Sequence, residues 1–514
     1  MTIVTCQGGA VRGSFENEVH AFKGIPYAEP IGGRARWLPP VARLPWQGVR
    51  DAQQFGPICP SFAARSVLSV PGARRQYLRA ITAVESPPEG EDSLLLNVWT
   101  PSVDEGAKLP VMVYIHGGGF TAGAANAFYD ATRFARKGVV AVVIQYRLGP
   151  PGFLHGSGLF DGEFCADNRA FLDQLCALHW VQQNIASFGG DPSCVTVFGE
   201  SAGAFSVYQL AASPKAKGLF QRAIAMGGMA QTCAPAAEYH QATRDALADV
   251  GVAAGDANAL TGLDKSQTQA LQAAVSKRIF RSSEDTYGSL TRQRIGFLGA
   301  ATGTDFLPQS PLDAYASGTA NKIELMLGTC ANDGGLFSFL LPIGGALSAK
   351  LFSKQLLGLV PNRDMEAVRR HYRAQMPRAS RRRVLEQINN DAFYREPTIA
   401  VAKAHAVDQP GTTYLYQLDY PSAIKGLGAI HGIDVALLFR NPPSGLLLDD
   451  DEQTLKLSEL MLEAWTQFAK TGKPAAIGLP AWAPFDAEHR ITMVFDRVSK
   501  PVSDLDANLL RLWR

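Results

Sequence analysis

Val195-Thr196-Val197-Phe198-Gly199-Glu200-Ser201-Ala202-Gly203 runs from strand-forming residues through a G-x-S-x-G turn into a segment that reads as a helix from Ala204. A serine held between a strand and a helix occupies a sharp, strained turn that projects its Oγ. The flanking glycines are needed because side chains there would collide with neighbouring backbone. The surrounding pattern decides the fold. Apolar runs bounded by turn residues recur at 94–99, 111–115, 139–146, 195–199, 223–226, 323–328 and 414–418. Most lack alternation, which suits strands covered on both faces in a mostly parallel sheet. Helical stretches lie between them. In 167–188, Phe171, Leu175, Leu178, Val181 and Ile185 fall on one helix face, with Asp167 in the N-cap position and Gly189-Gly190 as the stop. A second helix, 452–470, is stopped by Gly472 and Pro474. The alternation predicts an α/β fold, a mostly parallel central sheet with helices on both faces.

A serine that attacks a carbonyl creates a negatively charged oxygen, and preorganised N–H donors must face it. The 111–115 strand ends in His116-Gly117-Gly118-Gly119-Phe120. Successive glycines let bare backbone N–H groups line a cavity and let substrate come close. The N–H of Ala202, at a helix N-terminus directly after the serine, is a further donor. No Lys-Ser/Thr follows the glycines, so a phosphate-binding P-loop is excluded. The alternatives for these motifs are an ordinary glycine-rich turn and a flexible loop.

Such a serine needs a general base, and the chain has nine histidines. In the chain order of G-x-S-x-G hydrolases the acid and then the histidine follow the serine, which leaves His240, His371, His405, His431 and His489. The first two and His405 sit in helical segments, and His489 in an Asp-Ala-Glu-His-Arg turn. His431 follows the 414–418 strand through a loop containing Gly426 and Gly428, where a base can reach a serine. An acid must hold its other ring nitrogen. Asp333 is the only carboxylate in 329–335, the loop after the 323–328 strand; an Asp-Gly turn is the alternative reading.

These residues resemble the type-B carboxylesterase family, which includes cholinesterases and bacterial nitrobenzyl-type esterases. Phe22 to Ala28, Glu91 to Pro101, Phe188 to Gly203, Asp305-Phe306-Leu307-Pro308 and His431-Gly432 carry the likeness across nearly the whole chain. It implies an α/β-hydrolase fold, a Ser201–Asp333–His431 triad and an oxyanion hole of Gly118, Gly119 and Ala202. Three departures stand out. The family's usual acid is Glu, and here it is Asp333. Many members have a cysteine where this chain has Ser93, opposite Cys59. The segment from Cys59 to Ser93 also lacks the Trp with which cholinesterases hold quaternary ammonium, which argues against choline esters.

Composition agrees. Hydrophobic residues make up 46% and charged residues 19% of 514, a globular balance. With 49 Lys+Arg against 47 Asp+Glu the net charge is +2, giving no electrostatic case for nucleic acid or an anionic membrane. The densest basic run, Arg378 with Arg381, Arg382 and Arg383, reads as a solvated helix face. No apolar stretch reaches the ~18 residues of a membrane span, and residues 1–6 carry no secretory signal, so a cytoplasmic protein is expected. The seven cysteines form no C-x-x-C pair, which favours free thiols over zinc. The expectation is one α/β-hydrolase domain over 1–514 that hydrolyses small-molecule carboxylic esters through an acyl-enzyme, with no metal or organic cofactor. Amide, carbamate or thioester hydrolysis, or a non-catalytic binding protein on the same fold, are the rivals. Phe120 and the apolar stretch 336–341 are candidates for pocket lining or core. The oligomeric state stays open.

Overall fold

The computed structural model describes residues 1–62, 76, 77, 79, 86–282, 284–292, 299–335, 365–441 and 447–513. Thirteen strands of the described residues form one sheet: β1 (Thr2–Cys6), β2 (Gly9–Glu16), β3 (Val19–Pro26), β4 (Val49–Asp51), β5 (Leu95–Thr100), β6 (Leu109–Ile115), β7 (Val140–Ile144), β8 (Gly190–Glu200), β9 (Arg222–Met226), then β12 (Glu324–Cys330), β13 (Thr413–Leu418), β14 (Thr492–Phe495) and β15 (Lys500–Val502). Two more, β10 (Cys233–Pro235) and β11 (Ala300–Thr302), make a separate parallel pair. The order across the sheet is β1-β2-β3-β5-β7-β6-β8-β9-β12-β13-β14-β15, with β4 beside β2.

From β7 to β14 every pairing is parallel, and the antiparallel strands lie at the two margins. The central strands read as unbroken apolar runs because helices cover both faces: all five residues of β7 and all six of β5 are buried. Strand β5 shows the limit of that reading. Its composition matches the parallel strands, yet it pairs antiparallel with both β3 and β7. The N-terminal strands β1 and β2 lack a long apolar run and pair at the margin. Among the described residues no helix is long and apolar enough to cross a membrane.

The helix expected over 167–188 spans Arg169–Asn184 and passes into a 3₁₀ turn, Ile185–Phe188, closed by Gly189 at φ +78. Asp167 is not its N-cap. Asn168 stands there in a left-handed conformation, φ +61, without a side-chain cap. Its amide is occupied with Ala301 of β11, donating to the carbonyl (2.9 Å) and accepting from the N–H (2.8 Å). Asp167 instead meets His240 Nε2 at 3.0 Å. The second helix is Glu452–Thr471, capped by Asp451, which accepts from Thr454 N–H, and ended by Gly472. Arg381 and Arg382 are exposed on the helix Arg381–Asn390 as expected; Arg378 is exposed but lies in the turn before that helix, and Arg383 is half-buried and donates to Asn332, beside Asp333.

Candidate active site

The C-terminal ends of the parallel strands carry the expected site residues. Strand β8 ends at Glu200, and the helix Ala202–Ala212 begins two residues on. Ser201 between them has φ +56 and ψ −124, a strained backbone for a residue with a side chain. Its N–H donates to Met226 O (3.0 Å) and its carbonyl accepts from Phe205 N–H (2.9 Å), so strand and helix both hold the turn. The glycines are sterically required. A Cβ on Gly203 would run into the Ile115 carbonyl oxygen, and one on Gly199 would lie 2.5 Å from the Gly203 carbonyl carbon.

The glycine loop after β6 meets this turn. A Cβ on Gly117 would sit 3.0 Å from Ser201 Cβ and 2.9 Å from Glu200 Oε2. Gly118 and Gly119 have φ of +113 and +61, which favour glycine. The Gly118 carbonyl accepts from Thr121 (3.2 Å) and Ala122 (3.1 Å), fixing the loop. The N–H groups of Gly118, Gly119 and Ala202 donate to no group among the described residues. Behind the loop, His116 is fully buried and stacked on Tyr146 at 4.5 Å, and Tyr146 donates its hydroxyl to the His116 carbonyl. Burial pushes the His116 imidazole down to about 4, against the hydrogen bond to Gly117, so it is neutral and structural at neutral pH. Phe120 is core: 1% exposed, with its ring 4.3 Å from that of Phe153 and 5.8 Å from those of Phe171 and Phe205. The stretch 336–341 lies outside the described residues.

Asp333 and His431 come together. His431 Nδ1 lies 2.7 Å from Asp333 Oδ1, and Asp333 Oδ2 accepts from the Cys330 N–H at 2.7 Å. Both side chains are buried. The two loops are stitched directly: Asn332 bridges Ile430, donates from its backbone to Ala429 O (3.0 Å) and from its amide to Leu427 O (2.8 Å). That register brings the short Asp side chain to the ring. Glu324 is engaged with Arg222, and Asp305 is exposed.

His431 Nε2, the nitrogen that would turn to a serine, is 3.1 Å from Glu200 Oε1 and has no hydrogen-bond partner among the described residues. Glu200, the residue before Ser201, thus faces the imidazole, and no hydrogen bond joins Ser201 to His431 among the described residues. Burial pulls the imidazole pKa down, but Glu200 and Asp333 outweigh it and raise it to about 9. Burial also holds Glu200 well above the usual carboxylate range, opposed by His431 and reinforced by Asp434 and Asp333. Asp434 packs behind, taking the Tyr416 hydroxyl at 3.1 Å.

Three neighbours of His431 escape a sequence reading. Tyr77 donates its hydroxyl to the His431 carbonyl (3.2 Å), the Gly227 backbone lies against the ring, and the Tyr394 ring centroid is 5.4 Å away. Tyr77 carries no local signal. Gly227-Gly228 directly after an apolar strand, and Pro397 shortly after Tyr394, were available as signals. The set-aside histidines lie elsewhere: His240, His371 and His405 on helices and His489 in an exposed turn.

The family model described as "Carboxylesterase family" matches residues 1–513. The para-nitrobenzyl esterase of Bacillus subtilis is 35% identical over 509 residues, covering 96% of this chain and 94% of that protein. Mouse carboxylesterase 1E is 31% identical over 503 residues, 92% of this chain and 85% of its own. Among solved structures, the Geobacillus stearothermophilus carboxylesterase EST55 at pH 6.2 superposes with a TM-score of 0.84 at 30% identity, covering all of both chains.

Proposed function

The chain belongs to the carboxylesterase family and is a serine carboxylesterase, and from that premise we propose that Ser201 is its nucleophile, His431 the general base and Asp333 the residue that orients the base. The carrying observation is the buried 2.7 Å Asp333–His431 contact beside the strained Ser201 turn. In this reading the imidazole swings from Glu200 to Ser201 and takes the hydroxyl proton as Oγ attacks the ester carbonyl. The N–H groups of Gly118, Gly119 and Ala202 receive the oxyanion. The imidazolium then protonates the departing alcohol, and a water, deprotonated by His431, releases the acid from the acyl-enzyme. All of these residues act within one catalytic domain over 1–514.

A fluorophosphonate probe, followed by peptide mass spectrometry, is expected to yield a single adduct on Ser201. An adduct on another residue would overturn the nucleophile assignment. Nitrophenyl esters of rising acyl length, with the matching anilides and thioesters, are expected to rank the esters first.

The pH profile follows from the two carboxylates at His431. A protonated imidazole cannot accept the serine proton, so activity is lost on the acid side of its pKa. The unperturbed histidine value, ~6.5, sets the starting expectation. With the imidazole raised to about 9, kcat/KM is expected to keep climbing beyond neutrality. Glu200→Gln removes one of the raising charges and should move the acid limb to lower pH. A limb that stays put in that variant would mean Glu200 does not act on the base.

We also propose a reducing compartment, the cytoplasm. Its support is the Cys59 site, where the Ser93 hydroxyl lies 3.3 Å from the thiol. Thiol counting under denaturing, non-reducing conditions is expected to find all seven cysteines; five or fewer would contradict this location.

A further inference from the structure

Two surfaces bear on the His431 imidazole besides the carboxylates. One is the backbone of Gly227, at φ +59: a Cβ there would lie 3.1 Å from His431 Cε1 and 3.2 Å from Nδ1. The other is the ring of Tyr394, 1% exposed, its centroid 5.4 Å from the imidazole and its plane inclined by 51°.

Tyr394 sits in a π-helical turn, Asp391–Arg395, between the helices Arg381–Asn390 and Glu396–Asp408. The cause is local. Pro397 has no N–H for the Phe393 carbonyl four residues back, and its ring crowds that carbonyl. The helix widens there by a π-turn. The Phe393 carbonyl accepts from Gln231 Nε2 at 3.0 Å. Gln231 belongs to the loop that follows β9 and begins at Gly227, so one hydrogen bond ties the two surfaces together. The turn is anchored further by the buried Asp391, which takes the Tyr372 hydroxyl (2.6 Å) and Gln387 Nε2 (2.9 Å). Asn390 Oδ1 accepts from the Gly334 N–H (3.3 Å), next to Asp333.

Among the described residues the imidazole is held by one hydrogen bond, through Nδ1 to Asp333, which leaves it free to tilt, and Glu200 Oε1 lies 3.1 Å from its Nε2 without a hydrogen bond. We propose that Tyr394 is a positioning residue for His431: its ring, held by the Pro397-induced π-turn and the Gln231 staple, limits the swing of the imidazole and so sets how often Nε2 faces Ser201 rather than Glu200. This rests on the proposed role of His431 as the base. The π-turn thereby has a task in catalysis without touching substrate.

The test is steady-state kinetics of Tyr394→Leu, Tyr394→Phe and Gln231→Leu with nitrophenyl acetate and nitrophenyl butyrate, beside fluorophosphonate labelling rates. A misplacement of about 1 Å at a reacting group costs about 10²-fold. Tyr394→Leu should therefore lose about 10- to 100-fold in kcat, equally for both esters, with KM within about twofold and a parallel fall in labelling rate. Tyr394→Phe keeps the ring and should restore kcat to within about threefold of wild type. Gln231→Leu should lower kcat in the same direction by removing the hydrogen bond to Phe393 O that holds the Tyr394 turn, and it carries the test if Tyr394→Leu does not fold. Wild-type kcat in a folded Tyr394→Leu or in Gln231→Leu overturns the proposal, as does a KM that rises with acyl length at constant kcat. His431→Asn separates the two readings. If it hydrolyses esters at the wild-type rate, the base assignment falls; if it is inert while Tyr394→Leu keeps full kcat, only the positioning role falls.

Discussion

Ser201→Ala is expected to lose about 10⁵- to 10⁶-fold in kcat for nitrophenyl esters, on the scale seen when a serine hydrolase loses its nucleophile. The residual rate should be that of an oxyanion site without an attacking group, and fluorophosphonate labelling should vanish. Stability offers a second reading of the same position. Ser201 holds φ +56 because the glycines on either side allow strand β8 and its helix to meet there, and Ala inherits that strain unchanged. Glycine does not, so Ser201→Gly should be inactive yet more stable than Ser201→Ala by about 1 kcal/mol, read from paired thermal melts. Equal stability of the two variants would mean that the turn relaxes. Retained ester hydrolysis in Ser201→Ala would remove the serine from the mechanism altogether.

The fold was legible where burial on both faces forces a composition. Each of the seven apolar runs is a strand, and Gly189 and Gly472 end helices by adopting left-handed backbone that other residues resist. Direction was not legible, because a strand covered on both faces looks alike whichever way its neighbour runs; β5 is the instance. The cap at 167–169 failed because Asn168 is claimed by β11, more than a hundred residues away, and local propensity cannot see that partner. The marginal strands β1, β2, β14 and β15 take their conformation from the sheet they extend rather than from their own pattern.

The candidate site divides the same way. Ser201 and the glycine loop announce themselves because a tight turn and a bare amide permit few residues. His431 and Asp333 emerged by order and elimination, and the contact between them is made by the Asn332–Ile430 bridge, a pairing of loops with no sequence period. Glu200 abuts the serine in the sequence, but its approach to Nε2 depends on where His431 is delivered. Tyr394 is farther from legibility still: its surroundings follow from a proline three residues on and a glutamine in another loop.

Asp333→Asn is expected to lower kcat by at least about 10²-fold and up to about 10⁴-fold, the loss that the same change brings in a serine protease through the wrong imidazole tautomer. The geometry explains why the substitution is not conservative. The carboxylate has two duties: Oδ2 accepts from the Cys330 N–H and Oδ1 meets His431 Nδ1, each at 2.7 Å. An amide has one carbonyl oxygen. If that oxygen stays on Cys330, the NH₂ group faces Nδ1, which must then accept; the ring proton moves to Nε2, and the base has no lone pair for Ser201. If the amide flips, the buried Cys330 N–H faces a donor instead. Asp333→Glu probes the spacing. The 429–432 loop is pinned to Asn332 at this register, so an added methylene must push the ring or buckle the acid loop. A loss of about 10²-fold follows if the imidazole moves by about 1 Å. Wild-type activity in Asp333→Glu would show that the stitched loops yield to the longer acid. Wild-type activity in Asp333→Asn would transfer the orienting role to another carboxylate, and Asp434, buried behind His431 with the Tyr416 hydroxyl on it, is the one to substitute next.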